Sequence, residues 1–97
     1  MTVEELLASV AEEAAPPAGL SAPLRALWFA KKGRWDDAHD VVNDLPSSMG
    51  SWIHAHLHRI EGDLGNAGYW YARAGQPVAT GDLAAEWEAI ARELVRD

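Results

Sequence analysis

The chain has 97 residues, a formal net charge of −7 and no cysteine. This length suits one small domain, and the lack of cysteine excludes both a disulfide framework and a thiolate metal site. Phosphate binding needs a basic surface, and the largest basic cluster is only Lys31, Lys32 and Arg34, so we expect no nucleic-acid partner and no membrane association.

The first predicted helix lies within residues 1–15. Thr2-Val3-Glu4-Glu5 is a capping box that marks its start, and Pro16 and Pro17 mark its end. The acidic start differs from the basic start of a signal peptide, so we expect a cytoplasmic protein. The Pro-rich stretch that follows would allow this N-terminal helix to be loosely attached.

The sequence of residues 21–75 predicts two helical hairpins. Ser21 can cap the second helix and Gly33 ends it, and Asp36 and Asp37 suit the first turn of the third. A fourth helix is predicted from about Ser48 to Glu61, before Gly62.

The last two predicted helices follow Gly62. Asp63 can cap the fifth, and Gly75 and Pro77 close it. Gly65 and Gly68 lie inside it, which predicts close approach of a neighbouring helix because glycine disfavours a helix interior. The final helix, within residues 80–96, has one apolar stripe and otherwise polar faces, as expected of a helix that caps a stack.

One pattern occurs twice. It comprises Ala26, Phe29, Gly33, Ala38 and Val42 in the first hairpin and Ala55, His58, Gly62, Ala67 and Tyr71 in the second. This pattern resembles tetratricopeptide repeats, with His58 in place of an aromatic residue. The resemblance implies an all-α fold of about six helices, with two tetratricopeptide-like helical hairpins between the N-terminal helix and the C-terminal capping helix. Residues 52–75 also resemble a family of small uncharacterised bacterial proteins. Because no activity is established for that family, this resemblance does not indicate a function.

The tetratricopeptide resemblance also implies an inner groove. Its positions carry over to Leu27, Lys31, Trp52, His56, Arg59 and Ile60. Lys31 and Arg59 could hold a carboxylate beside the apolar Trp52, or they could simply be solvated cations covering a tryptophan. We therefore expect a non-enzymatic protein-interaction module that binds a peptide segment or a second copy of itself.

Three consecutive aromatic residues, Tyr69, Trp70 and Tyr71, cannot all face one core on a helix, because neighbouring side chains differ by about 100°. At least one ring should be partly exposed. It could pack under the final helix, or Tyr69 and Trp70 could anchor a homodimer or a partner.

The histidines offer an alternative function. His54 and His58 share one helical face, and Glu61 follows one turn later, so these three side chains could bind zinc or nickel. The competing interpretation is that both histidines pack in the core, and His39 is expected at or near the surface. The sequence contains no catalytic or cofactor motif, and its carboxylates, Glu86 among them, are expected on solvated helix faces.

Overall fold

The computed structural model describes residues 1–95, and this part of the chain forms six α-helices and no strand. The predicted all-α fold is confirmed. The helices are α1 (Val3–Glu12), α2 (Ala22–Lys32), α3 (Trp35–Asn43), α4 (Ser48–Glu61), α5 (Leu64–Ala74) and α6 (Leu83–Val95). None of these six combines the length and the apolar character that a membrane span requires.

Local chemistry sets the helix ends where the sequence predicts them. At α1 the Glu5 backbone amide donates to Thr2 Oγ1 over 3.0 Å, while the Thr2 amide donates to Glu5 Oε1 over 2.8 Å. Helices α2 and α4 end at Gly33 and Gly62, whose φ angles of +85° and +84° are left-handed and cost least for glycine. Asp63 caps α5 by accepting from the Asn66 amide.

Helix α4 lies at the centre and packs against α2, α3, α5 and α6. The main core combines residues from α1, α2, α3, α4 and α6, with Trp28, Ile53 and Ile90 among its fully buried members. A smaller cluster between α4 and α5 contains Ala55, Ala67 and Tyr71. Both faces of α4 are therefore covered by other helices.

Helix α1 belongs to the main core, which corrects the expectation of a loosely attached segment. It buries Val3, Leu6 and Val10 against α2 and α6. Trp28 Nε1 donates to Ser9 Oγ over 3.0 Å, and Lys32 Nζ donates to the Val10 carbonyl oxygen over 2.8 Å. Apolar burial and these bonds together fix α1 to α2.

The expected role of Gly65 and Gly68 is also wrong. A Cβ atom added at either position would meet nothing within 4 Å, so no neighbouring helix approaches them. The close contact lies at Gly50 in α4, where an added Cβ would collide with the Leu45 carbonyl oxygen and lie 2.7 Å from Leu45 Cβ. Glycine is needed there because the α3–α4 connection passes directly over α4.

Candidate functional site

Alternate histidines of α4 point to opposite sides of the helix. His54 and His58, one turn apart, face α3 and α5, where they contact the rings of His39 and Trp70. His56 faces α6 and bonds to Glu86. The sequence pattern His54, His56, His58 therefore contributes to two separate sites, as the 3.6-residue period of a helix requires.

The first site is a histidine cluster of His39, His54 and His58. The Nε2 atoms of His39 and His54 are 3.1 Å apart, and one ring nitrogen from each of the three residues lies within 4.8 Å of the other two. Trp35 stacks on His39 at 4.7 Å between ring centroids, and Trp70 stacks on His54 at 3.8 Å. The two tryptophans restrict the rotation of these imidazole rings.

Hydrogen bonds fix the other ring nitrogen in two of these histidines. The Asn43 side-chain amide lies 3.2 Å from His39 Nδ1, and Glu61 Oε1 lies 2.5 Å from His58 Nδ1. Burial, with His39 and His58 alongside, lowers the pKa of His54 to about 4. His54 is therefore neutral at physiological pH, and one of its nitrogens carries a lone pair.

The cluster differs from the predicted set of His54, His58 and Glu61. Glu61 contacts His58 Nδ1, but the group of ligand atoms that includes both His54 and His58 has His39, and not Glu61, as its third member. Glu61 and Asp63 also lie near His58 as a second possible ligand group, although Asp63 already caps α5. The third member of the cluster, His39, is half-buried between α3 and α4.

The sequence indicates which face of α3 carries His39. Trp35, Ala38, His39 and Val42 follow the i, i+3, i+4, i+7 spacing of one helix face. Trp35 and the two small apolar residues pack toward the core, so His39 must lie along the same side of α3. The spacing identifies the face, but only the packing of α3 on α4 shows what that face meets.

The second site is the Glu86 network, made of His56, Arg59, Tyr71 and Glu86. Glu86 Oε1 lies 2.7 Å from His56 Nδ1 and accepts from Arg59 NH1 over 2.9 Å, and Glu86 Oε2 accepts from the Tyr71 hydroxyl. The Glu86 side chain is only 5% exposed, so its expected place on a solvated face is wrong. Leu83, Glu86, Trp87 and Ile90 share the spacing of one face, which is the signal for its burial.

The network perturbs the acid–base properties of its members. Burial alone would raise the pKa of Glu86, but hydrogen bonds from His56, Tyr71 and Arg59 favour the carboxylate and lower its pKa overall. Burial and the bond to Glu86 raise the pKa of Tyr71. Burial would lower the pKa of Arg59, yet its contact with Glu86 raises it. The network is therefore ionised at Arg59 and Glu86 at neutral pH.

The predicted groove is divided by α6. Three of its six residues, Lys31, His56 and Ile60, line a surface cavity of about 210 Å³. We call this cavity the Lys31 groove; its wall is completed by Ala30, Leu83, Ala84 and Trp87. Trp52 lines a different cavity, of about 320 Å³, on the other side of the first turns of α6.

The other two predicted groove residues do not line the Lys31 groove. Arg59 binds Glu86 and donates to the Gly81 carbonyl oxygen over 2.6 Å. Leu27 is fully buried, and its carbonyl oxygen accepts from Trp87 Nε1 over 2.8 Å. Leu27 is therefore a core residue beneath α6 and cannot contact a partner.

The aromatic run on α5 divides as the helical period requires. Tyr71 is buried in the Glu86 network, and Trp70 is half-buried against His54. Tyr69 is 54% exposed, with Arg73 over its ring. The prediction of at least one exposed ring is confirmed, while an interface at Tyr69 and Trp70 stays a prediction.

Comparison with known proteins finds no matching family, curated protein or solved structure. The tetratricopeptide resemblance therefore stays a prediction. Arguments about function rest on the residues of the histidine cluster, the Glu86 network and the Lys31 groove.

Proposed function

We propose that this domain is a non-enzymatic interaction module that binds a short peptide segment of a partner protein in the Lys31 groove. The observation that carries the proposal is that exposed apolar side chains lie beside Lys31, a cation without a salt bridge in the described part of the chain. Ile60 and Leu83 are 38% and 39% exposed, and both line the cavity in which Lys31 lies.

The charge of the groove favours an acidic partner. Lys31 forms no salt bridge within residues 1–95, whereas Arg34, Arg59 and Arg92 all have carboxylate partners. Its Nζ atom lies 5.3 Å from the centre of the Trp87 ring, which keeps the cation at the edge of an apolar wall. A segment that presents an apolar side chain next to an Asp or Glu would match both features.

The size of the groove favours a peptide over a small-molecule ligand. Sites for drug-sized ligands usually enclose about 300–1,000 Å³, and the Lys31 groove has about 210 Å³. This volume suits one or two side chains from an extended or helical segment. The rest of such a segment would lie across the exposed ends of α4 and α6.

Selection from a displayed library of random peptides tests this function. We expect the enriched peptides to pair an apolar residue with Asp or Glu and to bind the wild-type protein. Binding should be lost in Lys31→Glu but retained in Arg25→Glu, which makes the same change of charge on an exposed residue of the same helix. Enriched peptides without acidic residues, or equal binding to both variants, would contradict the proposal, as would a library that yields no binder.

A further inference from the structure

The histidine cluster lies on the side of α4 opposite the Glu86 network and the Lys31 groove. The cluster and the Lys31 groove share no residue. Two of its members come from α4 and one from α3, so the site exists only when the two hairpins are packed together.

The nitrogen atoms of the cluster have the separation that a metal ion requires. Zinc–imidazole bonds of 2.0–2.1 Å in a tetrahedral site place two ligand nitrogens about 3.3 Å apart. The Nε2 atoms of His39 and His54 are 3.1 Å apart, and no pair of ligand nitrogens in the cluster exceeds 4.8 Å. Small side-chain rotations would bring all three nitrogens to one ion.

A hydrogen bond between Glu61 and His58 orients one ring of the cluster for metal binding. A ligand histidine in a metal site usually donates its second N–H to a carboxylate or another acceptor, which fixes the ring and makes the ligand nitrogen more basic. Glu61 occupies this position at His58 Nδ1, leaving His58 Nε2 for the ion. At His39 the Asn43 amide nitrogen donates to Nδ1, which places the proton of the neutral ring on Nε2, facing His54. Metal binding at His39 Nε2 therefore requires the Asn43 amide to turn so that its oxygen accepts from Nδ1–H.

Aromatic contacts also reduce the side-chain entropy that the three histidines would lose on binding a metal ion. Trp35 stacks on His39 and lies edge-on to His58, and Trp70 stacks on His54. Each ring is held before an ion arrives, so less side-chain entropy is lost on binding.

We propose that His39, His54 and His58 together bind one divalent transition-metal ion through their imidazole nitrogens, with Glu61 orienting His58. An all-imidazole set suits Zn²⁺, Ni²⁺ or Cu²⁺ better than Mg²⁺ or Ca²⁺, which prefer oxygen ligands. Three protein ligands leave a fourth tetrahedral position for water or another exogenous ligand.

Calorimetric titration of the tag-free protein with ZnCl₂ tests the site. We expect one ion per chain, and affinity at least about 100-fold weaker in His39→Phe, which keeps a ring against Trp35 but removes both nitrogens. Glu61→Gln removes the carboxylate that orients His58 and should weaken Zn²⁺ binding by about 10–100-fold. Asp40→Asn, at an exposed neighbour of His39, should bind like the wild type.

Two results of the titration would overturn the assignment. One is a wild-type protein that binds no Zn²⁺. The other is a His39→Phe variant that binds normally while Asp63→Asn does not, because the ion would then be held by His58, Glu61 and Asp63.

A measurement on the wild-type protein removes any dependence on the folding of variants. In ¹⁵N NMR of the imidazole nitrogens, Zn²⁺ should shift the resonances of His39, His54 and His58 and leave those of His56 in place. A shift of His56 together with only one or two of the others would contradict a three-histidine site.

Discussion

His56 on α4 lies against Glu86 on α6, with Nδ1 and Oε1 2.7 Å apart and both side chains at most 5% exposed. Arg59 and Tyr71 donate to the same carboxylate. Donors from α4 and α5 thus meet one acceptor from α6, and they define how α6 lies across α4. A buried carboxylate is costly unless its oxygens are paired, so this arrangement makes each partner difficult to remove.

Glu86→Gln should lower the free energy of unfolding by about 3 kcal/mol, because it leaves Arg59 partly buried without its counter-charge. Urea denaturation measures the change. Glu88→Gln is the matched control on the same helix, since Glu88 is 44% exposed and, among residues 1–95, forms a salt bridge only with Arg92 one turn away. That control should cost less than about 0.5 kcal/mol. Equal losses in the two variants would show that the Glu86 network does not stabilise α6.

The Glu86 network should also make the fold sensitive to acid. The pKa of Glu86 is lowered from 4.5 in the folded protein, so the ionised carboxylate stabilises the fold above the unfolded-state pKa. This stability is lost as the pH falls through the lower folded-state value. The difference in unfolding free energy between the wild type and Glu86→Gln should therefore be largest near neutral pH and shrink below about pH 4.5. A difference that stays constant from pH 7 to pH 3 would exclude Glu86 as the titrating group.

The helices were predictable from sequence because their ends depend on neighbouring residues. Thr2 reaches Glu5, Ser21 reaches Leu24 and Asp63 reaches Asn66, each only three positions away. These contacts form within one turn whatever the rest of the chain does, so capping residues and terminal glycines were sufficient to place them.

The two sites were less predictable because they depend on distant contacts. His39 and His54 are 15 positions apart, and His56 and Glu86 are 30 apart. Spacing places His39 and Glu86 on the buried sides of α3 and α6, but it cannot show which polar group lies opposite. A polar residue within an apolar stripe is the signal that such a partner exists, because an unpaired buried polar group is costly.

Two glycine substitutions should change stability in opposite directions. Gly65→Ala adds a Cβ atom in open space inside α5, where alanine is favoured over glycine by about 1 kcal/mol, and should stabilise the protein. Gly50→Ala places a Cβ against the backbone of Leu45 and should destabilise it by about 1–3 kcal/mol. Thermal unfolding followed by circular dichroism would compare the two variants. A gain in stability from Gly50→Ala would mean that the α3–α4 connection does not lie tightly on α4.

Leu6→Ala should show that α1 is an integral part of the fold. Leu6 is fully buried in the main core among residues of α2 and α6, and removing its side chain leaves a cavity that typically costs about 2–5 kcal/mol. Leu64→Ala is the control: this leucine is 69% exposed at the start of α5 and should contribute less than about 0.5 kcal/mol. Denaturant unfolding should remain a single transition in both variants, because α1 shares its core with the rest of the domain. A Leu6→Ala protein as stable as Leu64→Ala would instead mean that α1 detaches without loss of the remaining core.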